Sequence, residues 1–268
     1  MVKLELATGR GRLVVYGWRD DLMRSAVELA LTDVDSGLER RHFCGFDAWF
    51  KRSTLTGKAR LRWGFKRVCG VKLPRVAEYY NHSWLIERLF EAPLPLAAGE
   101  FIERGMPTRQ FLISEHVPNA ITLEEFLIDR DRRDRVDVLN ELSRETARMH
   151  ALGFTHHDLY PRNILVRDDT LPRRLVFLDA WAGGPPPQWR GAAYDLACLC
   201  LHADSELTLL EFDDFLDRYT SERTAQARPV ERDVLRERII RARLALVSRL
   251  RKRPAEQRGR SVPGVIWP

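Results

Sequence analysis

The sequence predicts an α+β chain in which a strand-rich first part gives way, between residues 110 and 122, to a mainly helical second part. Three observations predict it. Short apolar runs alternate with turn residues through the first third. Apolar residues fall at helical spacing across 136–153 and again in 191–252. Between these helical stretches, "GFTHHDLYPRNILV" (153–166) and "RLVFLDAW" (174–181) read as a loop and two short strands.

In chain order, "RRHFCGFDAWFKRS" reads as two strands joined near Gly45-Phe46-Asp47, with Trp49 to Lys51 on the second. "RVAEYYNHSWLIERLFEA" has Val76, Tyr79, Tyr80, Trp84, Leu85 and Leu89 near helical spacing, and Pro93 and Pro95 end it. "QFLISEHV" is a strand running into Pro118. "TLEEFLIDR" begins a helix with Thr122 as N-cap and Glu125 three residues on. In "VDVLNELSRETARMHALG", Val138, Leu139, Leu142, Thr146, Met149 and Leu152 share one face and Gly153 stops the helix, with His150 read as a packed helix histidine. "ILV" and "RLVFLD" are strands, "GGPPPQW" suits neither helix nor interior strand, and "AAYDLACLCLHA" is a buried helix. Two further helices are expected at 208–222 and 230–252.

Composition narrows the partners. The 268 residues are 44% apolar and 31% charged, with a net charge of +6, which suits a packed core and an anionic partner. The four cysteines, Cys44, Cys69, Cys198 and Cys200, form no CxxC pair and read as thiols of a reducing compartment. No apolar run reaches the length of a signal h-region or a membrane span, so a cytoplasmic protein is expected.

The chemistry concentrates in 153–179. Asp158 lies in a loop, Asn163 follows five residues later, and Asp179 stands at the end of the next strand. An acid, an amide and a second acid from neighbouring strand ends suit a hard cation such as Mg²⁺, which takes oxygen ligands and substrate phosphates. With Asn163 and Asp179 on the ion, Asp158 is left to accept a proton from an attacking hydroxyl, the division of labour in phosphoryl transfer. Arg162, between them in sequence, has a guanidinium suited either to a phosphoryl group or to plain solvent. The competing reading makes His150, His156, His157 and Asp158 metal ligands of an HD-type phosphohydrolase. It needs facing helices where "NILV" and "RLVFLD" read as strands.

"HHDLYPRN" resembles the kinase catalytic loop, with His156 in the histidine position, His157 for the usual arginine, Asp158 as base and Asn163 as metal ligand. "LDAW" resembles the metal-binding DFG segment. Lys51 in "AWFK" matches the lysine that holds the α- and β-phosphates, and Glu78 in "RVAEYYN" its helical partner, with Glu87 the alternative. "ISEHV" matches the hinge, whose backbone at Glu115 and Val117 would read adenine, and Asp195 in "YDLACL" the aspartate that braces the catalytic loop. Together with "WFKRS", "LIERLFEAPLP" and "DLACL", these segments resemble the lipopolysaccharide core heptose/Kdo kinase family from about residue 38 to 203.

The resemblance implies a bilobal protein-kinase-like fold. Residues 1–114 would form an antiparallel-sheet N-lobe with one helix, 115–118 a hinge, and 119–268 a helical C-lobe. It implies ATP and Mg²⁺ as cofactors, with His156 and Asp195 structural. The acceptor would be an anionic lipopolysaccharide core precursor met at the cytoplasmic face of the inner membrane, with no nucleic-acid partner. There is no GxGxxG, so the phosphate-covering turn falls to Asp35-Ser36-Gly37 or is absent. The short proline-rich segment after Asp179 and the lack of an APE-like motif point to a small or glycan acceptor. A kinase-like small-molecule phosphotransferase and a non-catalytic pseudokinase scaffold are the alternatives.

Overall fold

The structure is a computed structural model that describes residues 2–9, 11–32, 36–167, 169, 173–185, 191–202 and 207–252. The chain divides into two compact units, residues 1–118 with 180–182 and residues 119–179 with 183–268.

The first unit is built on a six-stranded antiparallel sheet in the order β1-β2-β5-β6-β4-β3. Its strands are β1 (Val2–Thr8), β2 (Gly11–Gly17), β3 (Gly37–Phe43), β4 (Phe46–Thr54), β5 (Pro95–Glu103) and β6 (Met106–Glu115). Strand alternation gives the sheet two covered faces. On one, α1 (Asp20–Thr32) buries Leu22, Met23, Ala26, Val27 and Ala30 against Leu13, Val15, Phe50, Phe111 and Ile113. On the other, α3 (Pro74–Glu87) sets Tyr79 on Ala98 and Leu112. Each fully buried Leu or Phe in such a core contributes about 1.5–3 kcal/mol.

The β3–β4 hairpin is present, but its turn falls at Cys44-Gly45, ahead of the expected Gly45-Phe46-Asp47. Both turn residues have positive φ, 48° and 89°, the conformation a two-residue hairpin turn requires. Two helices accompany the one expected in this unit, α1 and α2 (Gly57–Val68). The α1 pattern at 22, 23, 26, 27 and 30 is helical and readable. The α2 segment has only Gly64 buried, and its apolar residues Leu61, Phe65 and Val68 are exposed.

The second unit pairs a small antiparallel sheet, β7 (Ala120–Thr122), β8 (Ile164–Arg167) and β9 (Arg174–Phe177), with five α-helices among the described residues. These are α4 (Leu123–Asp129), α5 (Arg132–Ala151), α6 (Gly191–Leu199), α7 (Leu209–Ala225) and α8 (Arg232–Arg251). The capping box of Thr122 and Glu125 starts α4 as the sequence indicates, and Thr208 with Glu211 repeats it on α7. Helix α5 starts at Arg132, four residues ahead of its apolar pattern, because Asp131 caps it by accepting from the Asp134 backbone. It packs on α7, and α6 packs on α8. Val138, Leu139, Leu142, Thr146 and Met149 are buried as expected, whereas Leu152, past the helix end, is 46% exposed. Buried Arg243 of α8 donates to the Cys200 and Leu201 carbonyls just past the end of α6. In the described part of "GGPPPQW", Gly184 bridges to Thr155, and its residues 186–189 lie outside the described residues. No described helix is long and apolar enough to cross a membrane.

Candidate active site

In the first unit, register decides where Lys51 points. Phe50 is buried against α1, so Lys51 faces the α3 side, opposite Leu112 in the ladder. There its Nζ lies 2.7 Å from Oε1 of Glu78, which is completely buried in α3. Arg75, one turn earlier, holds the other oxygen, Nη1 to Oε2 at 2.8 Å. One buried carboxylate thus carries two cations, which satisfies the need for pairing that burial imposes. Glu87, the alternative partner, is exposed and pairs with Arg88. Sequence reading passed over Arg75, although its place three residues before Glu78 on the helix was the available signal.

The same helix reaches the segment after Asp179. Asn81 donates its side-chain amide to the backbone oxygen of Ala180. Glu115 ends β6, its N–H donating to Leu94 O at 2.9 Å, and half-buried Val117 follows two residues on. Between them His116 donates its N–H to Asp47 O and accepts from Trp49 Nε1. Of the expected phosphate-covering turn, Asp35 lies outside the described residues. The Ser36 hydroxyl bonds the Thr54 hydroxyl and accepts from the Thr54 N–H, and Gly37 opens β3.

In the second unit, Asp195 of α6 organises the loop. Its completely buried carboxylate accepts the His156 N–H at 2.6 Å and the His157 N–H at 2.7 Å, and lies 3.1 Å from His150 Nε2. His150 Nδ1 meets the Tyr219 hydroxyl at 2.8 Å, so a chain of contacts runs from α7 through α5 and α6 to the loop. His150 is therefore packed, as read, and also part of the loop's support. Burial alone would raise the Asp195 pKa, but the His150 hydrogen bond, the histidine charges and the His156 N–H outweigh it and hold the group below its ordinary value.

His156 is itself completely buried. Burial pushes its pKa below 6.5, against the opposing pull of Asp195, the Leu178 backbone and Asp179. An unfolded chain then takes up a proton below about pH 6.5 that the folded chain refuses. Stability is full above that pH and is lost on acidification towards the folded pKa. Urea midpoints should fall between pH 7.5 and 5.5, and His156→Leu should flatten that fall. An unchanged slope in the variant would mean that other groups carry it.

The loop then turns on backbone bonds. The Asp158 carbonyl accepts from Tyr160 N at 2.8 Å and from Asn163 Nδ2 at 2.8 Å, and a short 3₁₀ turn over Pro161–Asn163 leads into β8. Because the Asn163 amide nitrogen is committed to Asp158, its Oδ1 is the atom left to meet a cation. Asn163 O in turn accepts from Leu178 N at 2.8 Å, which brings Asn163 beside the residue preceding Asp179. Asp179 lies two residues past the end of β9 with φ at 52°, a left-handed conformation uncommon for a residue with a Cβ. An amide oxygen and a carboxylate are the hard donor set Mg²⁺ takes, so these residues fit that ion. Arg162 is exposed, with its guanidinium stacked 4.2 Å from the centre of the Tyr160 ring.

Gly183 fixes how closely the chain returns: a Cβ there would fall 1.9 Å from Thr155 O and 2.6 Å from His156 O. Glycine is thus required for the close approach. Among the described residues no group of three or more His, Cys, Asp and Glu side chains is arranged to hold a metal. The histidine-ligand expectation therefore fails on geometry, since His150 is engaged with Asp195 and Tyr219 and the His156 ring is sealed in. Behind the loop lies a concavity of about 930 Å³ lined by Gly153, Thr155 and Tyr194. Five arginines, Arg223, Arg228, Arg238, Arg241 and Arg249, line it, with no carboxylate lining it among the described residues.

The chain carries a kinase-like fold. The profile of the lipopolysaccharide kinase (Kdo/WaaP) family matches residues 67–184. Among solved structures the chain is similar to WaaP in complex with acyl carrier protein, with a TM-score of 0.56 and 18% identity over 85% of this chain and 93% of that one. It is also similar to a protein from Ralstonia eutropha assigned as an aminoglycoside phosphotransferase, with a TM-score of 0.51 and 12% identity over 87% of this chain and 90% of that one. No curated protein sequence matches the chain.

Proposed function

We propose that the protein transfers the γ-phosphate of ATP to a sugar hydroxyl of an anionic glycolipid, heptose or Kdo of the lipopolysaccharide core, at the cytoplasmic face of the inner membrane. The family match over 67–184 supports the acceptor class. The observation that carries it on this chain is the concavity beside the catalytic loop, lined among the described residues by five arginines and no acid, which suits a phosphate-bearing acceptor.

In this reading Asp158 orients the acceptor hydroxyl and takes its proton. Lys51, held by Glu78, positions the α- and β-phosphates. Asn163 and Asp179 hold Mg²⁺, which neutralises charge on the phosphates when bound. Arg162 reaches the transferring phosphoryl group or the acceptor. The backbone at Glu115 and Val117, in a hinge spanning 115–118, reads adenine, while His156 and Asp195 keep the loop in shape.

The test is turnover of Mg-ATP against lipopolysaccharide precursors truncated at successive core sugars, with products read by mass spectrometry. Phosphate should appear once the acceptor sugar is present and be absent from the next shorter precursor. Phosphorylation of aminoglycoside or choline-like alcohols alone would replace this reading with that of a small-molecule phosphotransferase.

A further inference from the structure

Helix α2 is fixed to the first unit by one side only. Gly64 is its buried residue, and a Cβ there would fall 2.3 Å from Met106 Cε, so glycine lets the helix lie close on β6. Arg67 clamps both Glu100 oxygens at 2.9–3.1 Å, and Arg60 donates to the Glu103 carbonyl. The rest of the helix faces outward. Leu61, Phe65 and Val68 are 67%, 72% and 83% exposed. Their spacing of four and three residues makes one continuous apolar stripe, and Val71, just past the helix, is also exposed. Beside it runs a second stripe, Lys58, Arg62 and Lys66, at successive four-residue steps. No salt bridge pairs these three with a carboxylate among the described residues, and Lys66 caps the Trp63 ring at 4.7 Å. The twelve residues of α2 contain five basic side chains and no acidic one.

A large apolar side chain left that open costs hydration free energy and marks a contact surface. The charge selects the occupant. A second copy would bring its own Lys58, Arg62 and Lys66 against the first three, and a neutral protein face would leave the lysine–arginine stripe unmatched. An anionic lipid surface answers both stripes, the apolar one entering the acyl boundary and the cationic one staying with the headgroups.

We propose that α2 is an interfacial helix that docks the protein on an anionic bilayer through Leu61, Phe65 and Val68, with Lys58, Arg62 and Lys66 at headgroup level. The docking involves no step of phosphoryl transfer, so it is tested without nucleotide or acceptor. Its failure would leave the kinase reading standing, and the converse holds.

The experiment is flotation of the full chain with vesicles of phosphatidylcholine, with or without one-third phosphatidylglycerol. Three cations at the headgroups should favour the anionic vesicles on the order of a hundredfold. High salt should erode that preference. The double variant Leu61→Ser/Phe65→Ser, altered only at exposed positions, should keep the wild-type melting temperature and lose at least about tenfold in binding. A second readout uses Cys69, which is exposed at the end of α2 while Cys198 and Cys200 are buried. In a Cys44→Ser background, an environment-sensitive fluorophore on Cys69 should shift to the blue when anionic vesicles are added. Equal binding to both vesicle types, or wild-type binding by the double variant, overturns the proposal. So does flotation without a shift at Cys69, which would place the contact on another surface. A solution dimer broken by Phe65→Ser would likewise overturn it, by showing that a second copy covers the stripe.

Discussion

Replacing Asp158 by alanine is expected to lower kcat by about 10²–10⁴-fold while leaving Mg-ATP binding intact. The structure separates the two effects. The Asp158 backbone carbonyl supports the loop by accepting from Tyr160 N and Asn163 Nδ2. Alanine keeps that carbonyl and its two bonds, including the one from the Asn163 amide, while the carboxylate is lost. Steady-state turnover measures the loss. The thermal shift with Mg-ATP measures what remains, about 2.7 kcal/mol of stabilisation when the nucleotide is at a hundred times its Kd. A variant that still phosphorylates its acceptor at close to the wild-type rate would remove Asp158 from the role of base.

Asp195→Ala is expected to unfold the second unit more readily than other single changes in the loop's surroundings. Its carboxylate is the acceptor for two backbone N–H groups of buried residues and the partner of His150. Alanine leaves those donors buried and unmatched at about 1–3 kcal/mol each. The sum, about 3–5 kcal/mol, corresponds to a fall in Tm on the order of 10 °C for a unit of this size. Asp195→Asn keeps one acceptor oxygen and the volume, so about half the loss is expected. Calorimetry on the two variants checks the ranking. The wild-type contribution also has a pH window. Because the folded pKa is depressed, it is complete above the unfolded value near 3.9 and is lost as pH falls through the folded one. If Asp195→Ala and Asp195→Asn melted alike, the two N–H bonds would not be what the carboxylate supplies.

Local signals made much of this legible. The α4 capping box, the α5 stripe and the two strands that follow 153–163 could be read directly, since each depends on residues close in sequence. Lys51 and Glu78 could be matched through their motifs, and the two-face alternation of β4 explains why they meet. What escaped has two different causes. The α1 pattern was present and was subsumed in a strand-rich reading of the first third. The α2 segment has Leu61, Phe65 and Val68 at helical spacing and was subsumed in the same way, although the structure leaves that stripe exposed. The second cation on Glu78 and the Tyr219–His150–Asp195 chain escaped for another reason. They join side chains 3, 45 and 69 residues apart whose pairing depends on how helices pack. A hydrogen-bond acceptor buried on an apolar helix announces that it has a partner, and only tertiary structure says which.

Glutamate 78 shares its burden between a strand and its own helix, and that sharing frees the lysine. A carboxylate sealed from water with a single counter-ion would trap its ammonium, since departure would strand a naked anion in a medium that solvates it poorly. With Arg75 anchored on the second oxygen, the Glu78 carboxylate keeps a counter-ion even when Lys51 is drawn to another anion. The guanidinium is a ballast that leaves the amine dispensable to the carboxylate's own pairing.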